Sequence, residues 1–333
     1  MTTARLSREL PIPAAGRRLL VPAGWAAAVA GGLFLVLPGL GVSIEETLLR
    51  ATPFVFTGLA VAVPARAGLV NIGGEGQFAM GTVFTTAGVL ALGDHLPAVV
   101  LLPVLALLGA LGGLLWAGIC AGLRVAVNLN EALSTLLLNF VAPLIVAYLV
   151  FGPWKDPQSF NLPEAKQYPD AARLPVYGLT RLHAGILIAV VAALVVWVIL
   201  DFTRWGFRAR VVGGNPEAAR RAGLPVGRMM FIALAAGGGL AGLGGMVEAT
   251  GIEGLLRPGI GVGFGYIGFL ASWLVGHRPL AILGSALLLA AISVSGDSLQ
   301  LDHGLPSTSV YVLMAVVLLV ALAVRGGRRE RER

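Results

Sequence analysis

The sequence predicts an all-α, polytopic membrane protein with about ten transmembrane helices and with the N- and C-termini in the cytoplasm. Of its 333 residues, 57% are hydrophobic and only 12% are charged, whereas a soluble domain carries about 25% charged residues. The apolar residues form windows of about 20, the length that a helix needs to cross a bilayer. The basic residues are distributed unevenly between these windows, and this distribution sets the orientation.

Ten apolar runs follow one another along the chain. They fall at about 20–40, 47–64, 68–92, 97–121, 131–151, 183–201, 229–250, 260–276, 279–296 and 308–324. Ala28, Val29 and Ala30 resemble the small-x-small cleavage site of a signal peptide. Because the first apolar run continues through Leu40, we favour a retained first helix.

An N-terminus placed in the cytoplasm gives a strongly asymmetric distribution of positive charge. The cytoplasmic segments then hold 18 of the 24 Lys and Arg residues. The other six lie outside: Arg50, Lys155, Lys166, Arg173, Arg181 and Arg257. This bias follows the positive-inside rule. An odd number of spans would remove the bias. We expect a cytoplasmic segment at 1–19, a membrane domain at 20–324 and a basic cytoplasmic tail at 325–333.

The segment 152–182 is polar and contains five prolines. It lies outside in this topology, and we expect an ordered loop with room for a short helix. The segment is too short for a domain. It is either a docking surface for an external partner or a plain connector, and its composition does not decide between them.

Two runs are rich in glycine, which weakens a helix. Residues 68–81 place Asn71, Glu75 and Gln77 among five glycines, and residues 259–269 read GIGVGFGYIGF. One broken segment in each half of a transporter indicates a central site. Close helix packing through small residues is the alternative, and it explains the second segment equally well.

Known enzyme motifs are missing from the sequence. A phosphate-binding loop needs a lysine that follows a glycine, and neither Lys155 nor Lys166 does. The four histidines have no metal-ligand spacing, and Cys120 is the only cysteine. The basic residues punctuate apolar runs, so they indicate membrane orientation and not a nucleic-acid site. We expect no enzyme activity and no cofactor in this chain.

A polar helical face begins at Glu131. Glu131 and Thr135 share one face of the predicted helix, with Asn139 adjacent and deeper. This face could line a polar path. Alternatively, Glu131 is a first-turn acid behind an Asn130 cap. Two further acids, Glu248 and Glu253, flank the end of another run, and we expect both to be solvated.

The segment 202–228, which directly follows Asp201, contains six arginines and a single acid, Glu217. We therefore place it in the cytoplasm. Asn215 and Pro216 form a helix start, and Gly223 a stop, which predicts a short helix at 216–222. The small side chains of Ala218 and Ala219 allow a partner to approach closely, and Arg220 offers a charge. An amphipathic helix on the membrane surface would give the same pattern.

Four segments together resemble the permease subunit of a bacterial ABC importer. They read GLAVAVPARAGLVNIGGEGQFAMG, LNEALSTLLLNFVAPLIVAYLVFGP, GFRARVVGGNPEAARRAGLPVGRMMF and ALAAGGGLAGLGGMVEATG. The chain is similar to the branched-chain amino-acid, ribose and nucleoside permease superfamily, and most similar to its nucleoside or simple-sugar branch. The EAA-x-x-x-G spacing resembles the ATPase-docking loop of such importers, although the I/L-x-L-P ending of the broader motif is missing after Gly223.

The resemblance implies an assembly of two permease subunits, identical or different, with two cytoplasmic ATPase domains that bind ATP. It also implies an extracytoplasmic solute-binding lipoprotein and a place in the bacterial cytoplasmic membrane. The ATPase-coupling residues would be Glu217, Ala218, Ala219, Arg220 and Gly223, and the translocation-pathway residues Asn71, Glu75, Gln77 and Asn139. We expect import of nucleosides or related simple sugars. The alternative is a proton-coupled secondary transporter that uses Glu75 or Glu131.

Overall fold

The computed structural model describes residues 43–159, 163–178 and 180–303, with the single positions 312 and 316. The regular structure of these residues is helical apart from two isolated β-bridges, which confirms the all-α class. The predicted spans 20–40 and 308–324 lie outside the described residues except for those two positions. The predicted terminal segments 1–19 and 325–333 also lie outside them.

The helices occur in the following order. They are α1 (Ile44–Arg66), α2 (Gly74–Leu92), α3 (Ala98–Val127), α4 (Glu131–Phe151), α5 (Gly185–Phe202), α6 (Arg204–Gly214), α7 (Pro216–Arg221), α8 (Val226–Glu248), α9 (Phe264–Leu274) and α10 (Pro279–His303). A π-helix, Ala249–Glu253, continues α8. In the described part of the chain, six helices are long and apolar enough to cross a membrane: α1, α3, α4, α5, α8 and α10.

The central helices differ from the peripheral ones in burial. From Ala51 to Pro64, every residue of α1 is buried, and α2 is buried almost throughout. The helices α3, α4 and α5 each expose one apolar face, on which Leu107, Leu144 and Leu187 are 72%, 68% and 57% exposed. A bilayer supplies the apolar surroundings that such faces need.

Glycines allow α8 to pack closely against α2 and α3. A Cβ added to Gly242 would lie 2.2 Å from the Gly109 carbonyl oxygen, and one added to Gly113 would lie 2.1 Å from that of Gly238. On α2, a Cβ at Gly81 would lie 2.3 Å from the Gly242 oxygen. Small residues at helix contacts are typical of membrane bundles. This packing accounts for the glycines at these positions.

The polar segment 152–182 is ordered where it is described, and it contains a 3₁₀-helix, Asp170–Ala172. Three of its N–H groups donate to carbonyl oxygens that follow α8: Ala165 to Leu256 (2.8 Å), Tyr168 to Gly254 (2.8 Å) and Leu174 to Thr250 (3.0 Å). The Tyr168 hydroxyl lies 2.6 Å from Thr86 Oγ1, and burial raises the pKa of Tyr168. The segment therefore covers one end of the bundle.

Two non-helical stretches interrupt the bundle at the predicted glycine-rich positions. The first break, residues 67–73, precedes α2, and the second break, residues 254–263, precedes α9. The helix α9 has 11 residues, so it is about 16 Å long, which is half of a hydrocarbon core about 30 Å thick. The two breaks place helix ends within the bundle.

Candidate functional site

The N-terminus of α9 lies deep inside the bundle, beside the middle of α1. Thr57 Oγ1 donates a hydrogen bond to the Phe264 carbonyl oxygen (3.0 Å), and Thr57 is fully buried. Phe264 also packs edge-on against the rings of Phe54 and Phe78. The second break thus runs from one end of the bundle to about half its depth.

The N-termini of α2 and α9 meet at this depth. A Cβ on Gly265 would lie 2.1 Å from the Glu75 backbone nitrogen, and one on Gly74 would lie 3.3 Å from the Gly265 Cα. Only glycine permits this approach. Because each helix N-terminus carries a partial positive charge, the contact needs a negative group. We call it the junction.

Glu75 supplies that negative group. The backbone N–H of Gly263 donates to Glu75 Oε1 (2.6 Å), and the N–H of Gly265 donates to Oε2 (2.9 Å). These N–H groups belong to the N-cap and the first turn of α9, which have no partner within their own helix. The carboxylate of α2 therefore caps α9 and ties the two breaks together.

A pair of buried amides shapes the first break. Asn71 Nδ2 donates to Gln77 Oε1 (2.9 Å), and Gln77 Nε2 donates back to Asn71 Oδ1 (2.8 Å). Asn71 also donates to the Ala60 carbonyl oxygen (3.0 Å) and accepts from the Gly73 N–H (3.0 Å). The pair connects the start of α2 to α1 through the first break.

One face of α4 pairs further backbone groups of the first break and of the start of α2. Three of its side chains accept hydrogen bonds from backbone N–H groups in chain order. The N–H groups of Val70, Ile72 and Gly76 donate to Glu131 Oε1 (3.2 Å), Thr135 Oγ1 (3.2 Å) and Asn139 Oδ1 (2.9 Å), respectively. Asn139 Nδ2 donates in return to the Ile72 carbonyl oxygen (2.8 Å). Inside a membrane bundle, backbone groups released from a helix need protein partners of this kind.

The structure confirms the predicted cap in the Glu131 region and shows further contacts of Glu131. Asn130 caps α4 by accepting from the N–H groups of Ala132 (2.9 Å) and Leu133 (3.2 Å). Glu131 in addition binds the first break and lies 3.3 Å from Arg124 Nε. It is therefore a structural carboxylate as well as a first-turn acid.

The four residues predicted for the pathway, Asn71, Glu75, Gln77 and Asn139, are brought together around residues 73–76. Asn71, Gln77 and Asn139 are 0%, 1% and 3% exposed. Their amides bond to protein groups, so in this conformation they hold the shape of the first break. Glu75 occupies the contact between the two breaks.

The predicted helix in the basic segment is present as α7. Asn215 caps it by accepting from the Ala218 N–H (3.0 Å), with Pro216 at the first position. Gly223, at φ +81°, ends it as expected: the N–H groups of Gly223 and Leu224 donate to the carbonyl oxygens of Arg220 and Ala219 (both 3.0 Å). The helix closes at Arg221 instead of Ala222. The preceding helix, α6, was not predicted.

The faces of α7 differ in exposure. Ala219 is fully buried in a cluster with Ala67, Ala209, Val212, Val226, Met229 and Ala233. Ala218, Arg220 and Gly223 are exposed, and Glu217 binds Arg220 (2.6 Å) and Arg221 (3.2 Å). Ala219 therefore seats α7 on its own chain, whereas we expected its side chain to face a partner.

The α6–α7 hairpin rests directly on the first break. A Cβ on Gly68 would lie 3.1 Å from the Gly213 Cα, and Ala67 belongs to the same buried cluster as Ala219. Asp201 accepts from Arg66 (2.8 Å) and Arg210 (3.2 Å), which ties the ends of α1 and α5 to α6. A continuous series of contacts thus leads from α7 through the first break to the junction.

Comparison with known proteins identifies the family. Residues 43–322 match the family described as branched-chain amino acid transport system, permease component. The chain belongs to this family. The resemblance inferred from the sequence is confirmed, and the chain is a permease subunit of an ABC transporter and a multi-pass protein of the plasma membrane.

Similar permeases come from archaea and bacteria. The glucose ABC transporter permease protein TsgB13 of Haloferax volcanii is 36% identical over 299 residues, covering 86% of this chain and 78% of that protein. The guanosine ABC transporter permease protein NupP of Bacillus subtilis is 29% identical over 312 residues (92% and 88%). The nucleoside ABC transporter permease protein NupB of Lactococcus lactis is 26% identical over 295 residues (86% and 80%).

Membership in this permease family implies ATPase and substrate-binding partners, and it favours ATP-driven import over the proton-coupled alternative. Glu75 and Glu131, the two candidate proton sites, each accept backbone N–H bonds in the structure. Permeases of this family transport solute and are generally not catalytic.

One expectation for an acidic residue is wrong. Glu248 was expected to be solvated, but it is only 4% exposed. It lies at the end of α8, where the segment 152–182 and the start of α1 cover it. Those segments are distant in sequence, so the local pattern carried no signal of this burial.

Proposed function

We propose that this chain is one of two permease subunits of an importer for nucleosides or related simple sugars, driven by ATP hydrolysis on two cytoplasmic ATPase domains. The observation that carries the mechanism is the direct packing of the α6–α7 hairpin on the first break. A movement imposed on α7 by a partner would reach the junction through that contact.

The proposed orientation places α7 in the cytoplasm, with ten spans and both termini on the same side. Its support is the excess of Lys and Arg in the segments assigned to that side. The segment 152–182, the π-helix and the second break then face outward. There they would meet the solute-binding lipoprotein, so we favour docking over a simple connector role for 152–182.

We propose that α7 couples the permease to its ATPase. The exposed groups Ala218, Arg220 and Gly223 would contact the ATPase, and Glu217 would hold Arg220 in place. Ala219 would transmit the force, because it is buried against Ala67 and α6. The apolar side of α7 packs on its own chain through Ala219, which argues against a membrane-surface helix, whose apolar side would be free.

At the junction, we infer that the Glu75 cap on α9 opens and closes the translocation pathway. Loss of the contacts with Gly263 and Gly265 would release α9 and the second break. Asn71, Gln77 and Asn139 would keep the first break rigid, so that a shift of the hairpin moves Glu75 as part of a single unit.

The solute class is supported by the relatives, whose names specify glucose, guanosine and nucleosides. All of these solutes are neutral and carry several hydroxyl groups. The second permease subunit would be either a second copy of this chain or a related chain. The solute-binding protein would select among the solutes.

The experiment is uptake by the reconstituted transporter. The permease is placed in proteoliposomes with its ATPase, its second permease and its binding protein, and uptake of radiolabelled guanosine and glucose is measured. We expect uptake of at least one solute to require ATP hydrolysis and to persist with a protonophore. Uptake that follows a proton gradient without ATP would contradict the proposal.

A further inference from the structure

A cavity of about 230 Å³ opens at the end of the bundle opposite α7. It lies between the start of α1, the end of α8 and the second break. Its charged lining consists of Glu46, Arg50, Arg181, Glu248, Glu253 and Arg257. Phe264, the first residue of α9, also lines it. The cavity therefore lies directly above the junction.

The three arginines of the cavity already have carboxylate partners. Arg181 lies 3.3 Å from Glu46, and Arg50 pairs with Asp297. Arg257 makes two hydrogen bonds to Glu253, at 2.8 and 2.7 Å. These bonds raise the pKa of Arg257. Each guanidinium is thus neutralised locally, although it keeps N–H groups that can donate to a ligand.

Glu248 is the unmatched acid of the cavity. It is 4% exposed, and its Oε2 is buried without a hydrogen-bond partner among the described residues. A buried acceptor that makes no hydrogen bond costs stability. In a native protein such a group calls for an explanation, and a bound ligand that donates to it is one.

The charges of the cavity select the class of ligand. Three acidic side chains face three guanidinium groups, so the lining has no large excess of either charge and favours a neutral ligand. A metal ion is disfavoured by the arginines, and the described residues contain no cluster of three metal-binding side chains. A neutral solute with hydroxyl groups can donate to Glu248 and accept from the arginines. Carboxylates bind ribose hydroxyls in this way in dinucleotide sites.

The size and the backbone of the cavity fit the same class. Its volume is below the range of about 300–1,000 Å³ that holds drug-sized ligands, which suits a single sugar ring. The π-helix Ala249–Glu253 directly follows Glu248, and such helices occur frequently at functional sites. The second break continues from Val262, which lines the cavity, to Gly263 at the junction.

We propose that this cavity is an entry site in which Glu248 accepts hydrogen bonds from the hydroxyl groups of a neutral sugar or nucleoside. The solute would bind here after its release outside and before the junction opens. This proposal rests on the solute class and orientation proposed above, and it assigns to Glu248 a positioning role for the solute.

The test is protection of a cysteine in the cavity. Val262 lines the cavity and is 62% exposed, and Cys120 is the only native cysteine. The complete transporter carrying Val262→Cys and Cys120→Ala is labelled with a membrane-impermeant thiol reagent, with and without guanosine or glucose. Labelling should slow about tenfold at a solute concentration ten times its Kd.

Two further variants make the result specific. Glu248→Gln, added to the same background, should weaken the protection about tenfold, because the amide nitrogen replaces an oxygen that can accept from the solute. Asp170→Cys lies exposed at the same end but outside the cavity, and its labelling should not change with solute. The Glu248→Gln variant needs only to be folded for this measurement, because thiol labelling does not depend on transport.

Equal labelling rates with and without both solutes would overturn the proposal, because a cavity that holds only water gives no protection. Undiminished protection in the Glu248→Gln variant would also overturn it. Uptake is measured in parallel on the unmodified transporter. Absence of ATP-driven uptake of either solute would reject the proposed function, whereas the labelling rates judge the entry site separately.

Discussion

At the scale of single residues, Glu75 links the two halves of the permease. Its carboxylate accepts from Gly263 and Gly265, which are 188 and 190 residues further along the chain. A hydrogen bond to a charged group contributes about 1.5–3 kcal/mol. This one side chain therefore contributes directly to holding the second break against the first.

We predict that Glu75→Ala reduces ATP-driven uptake at least about tenfold, because the N-terminus of α9 loses its anionic cap. The measurement is uptake in proteoliposomes at equal amounts of inserted transporter. Asp94→Ala is the control, since this exposed acid lies at the far end of α2. A Glu75→Ala transporter as active as the control would contradict the anchoring role.

We predict that Gly265→Ala destabilises the permease by about 1–3 kcal/mol, the usual effect of overpacking. The added Cβ would lie 2.1 Å from the Glu75 nitrogen, so backbone has to move. Gly122→Ala is the matched control, with nothing within 4 Å of its Cβ. The midpoints of thermal unfolding are measured for the two purified variants. Equal midpoints would show that the junction is not closely packed.

At the scale of elements, the sequence predicted most helices because a membrane span is a long apolar run. The run 131–151 coincides with α4. It did not predict α6, since this helix is short and basic, and its buried residues Ala209 and Val212 are recognisable only by their contacts with Ala67. Local pattern identifies a span, whereas surface helices depend on what they pack against.

The helix α7 gives a prediction for coupling. Gly223→Arg places a large cation on the exposed end of α7, where φ is +81° and the surrounding space is open. We predict that uptake falls at least about tenfold while the permease remains inserted, because both backbone strain and bulk disturb the ATPase contact. Nucleotide hydrolysis stimulated by the loaded binding protein is measured alongside.

Gly178→Arg is the matched control for this prediction. Gly178 also has a positive φ (+61°) and open surroundings, but it lies in the segment 152–182 at the other end of the bundle. Equal losses of uptake in the two variants would indicate a general effect of arginine at such glycines. Only a selective loss at Gly223 supports coupling through α7.

At the scale of the whole molecule, the two breaks were predictable but their meeting was not. Clusters of glycine marked both positions, whereas the contact between Gly74 and Gly265 depends on how α1, α2 and α9 pack. The burial of Glu248 was missed for the same reason. Residue patterns specify where a membrane helix breaks, and long-range packing decides what the break touches.

The central claim is that α7 and the junction move together. The direct test uses Tyr266→Cys with Cys120→Ala, because the Tyr266 hydroxyl lies 3.4 Å from Asn139 Nδ2 beside the junction. Thiol labelling of the complete transporter is compared without nucleotide and with ATP and vanadate. We predict a rate that changes with nucleotide and that no longer changes when Gly223→Arg is added. A labelling rate that does not change with nucleotide would contradict the account. So would a nucleotide-dependent change that persists when Gly223→Arg is added.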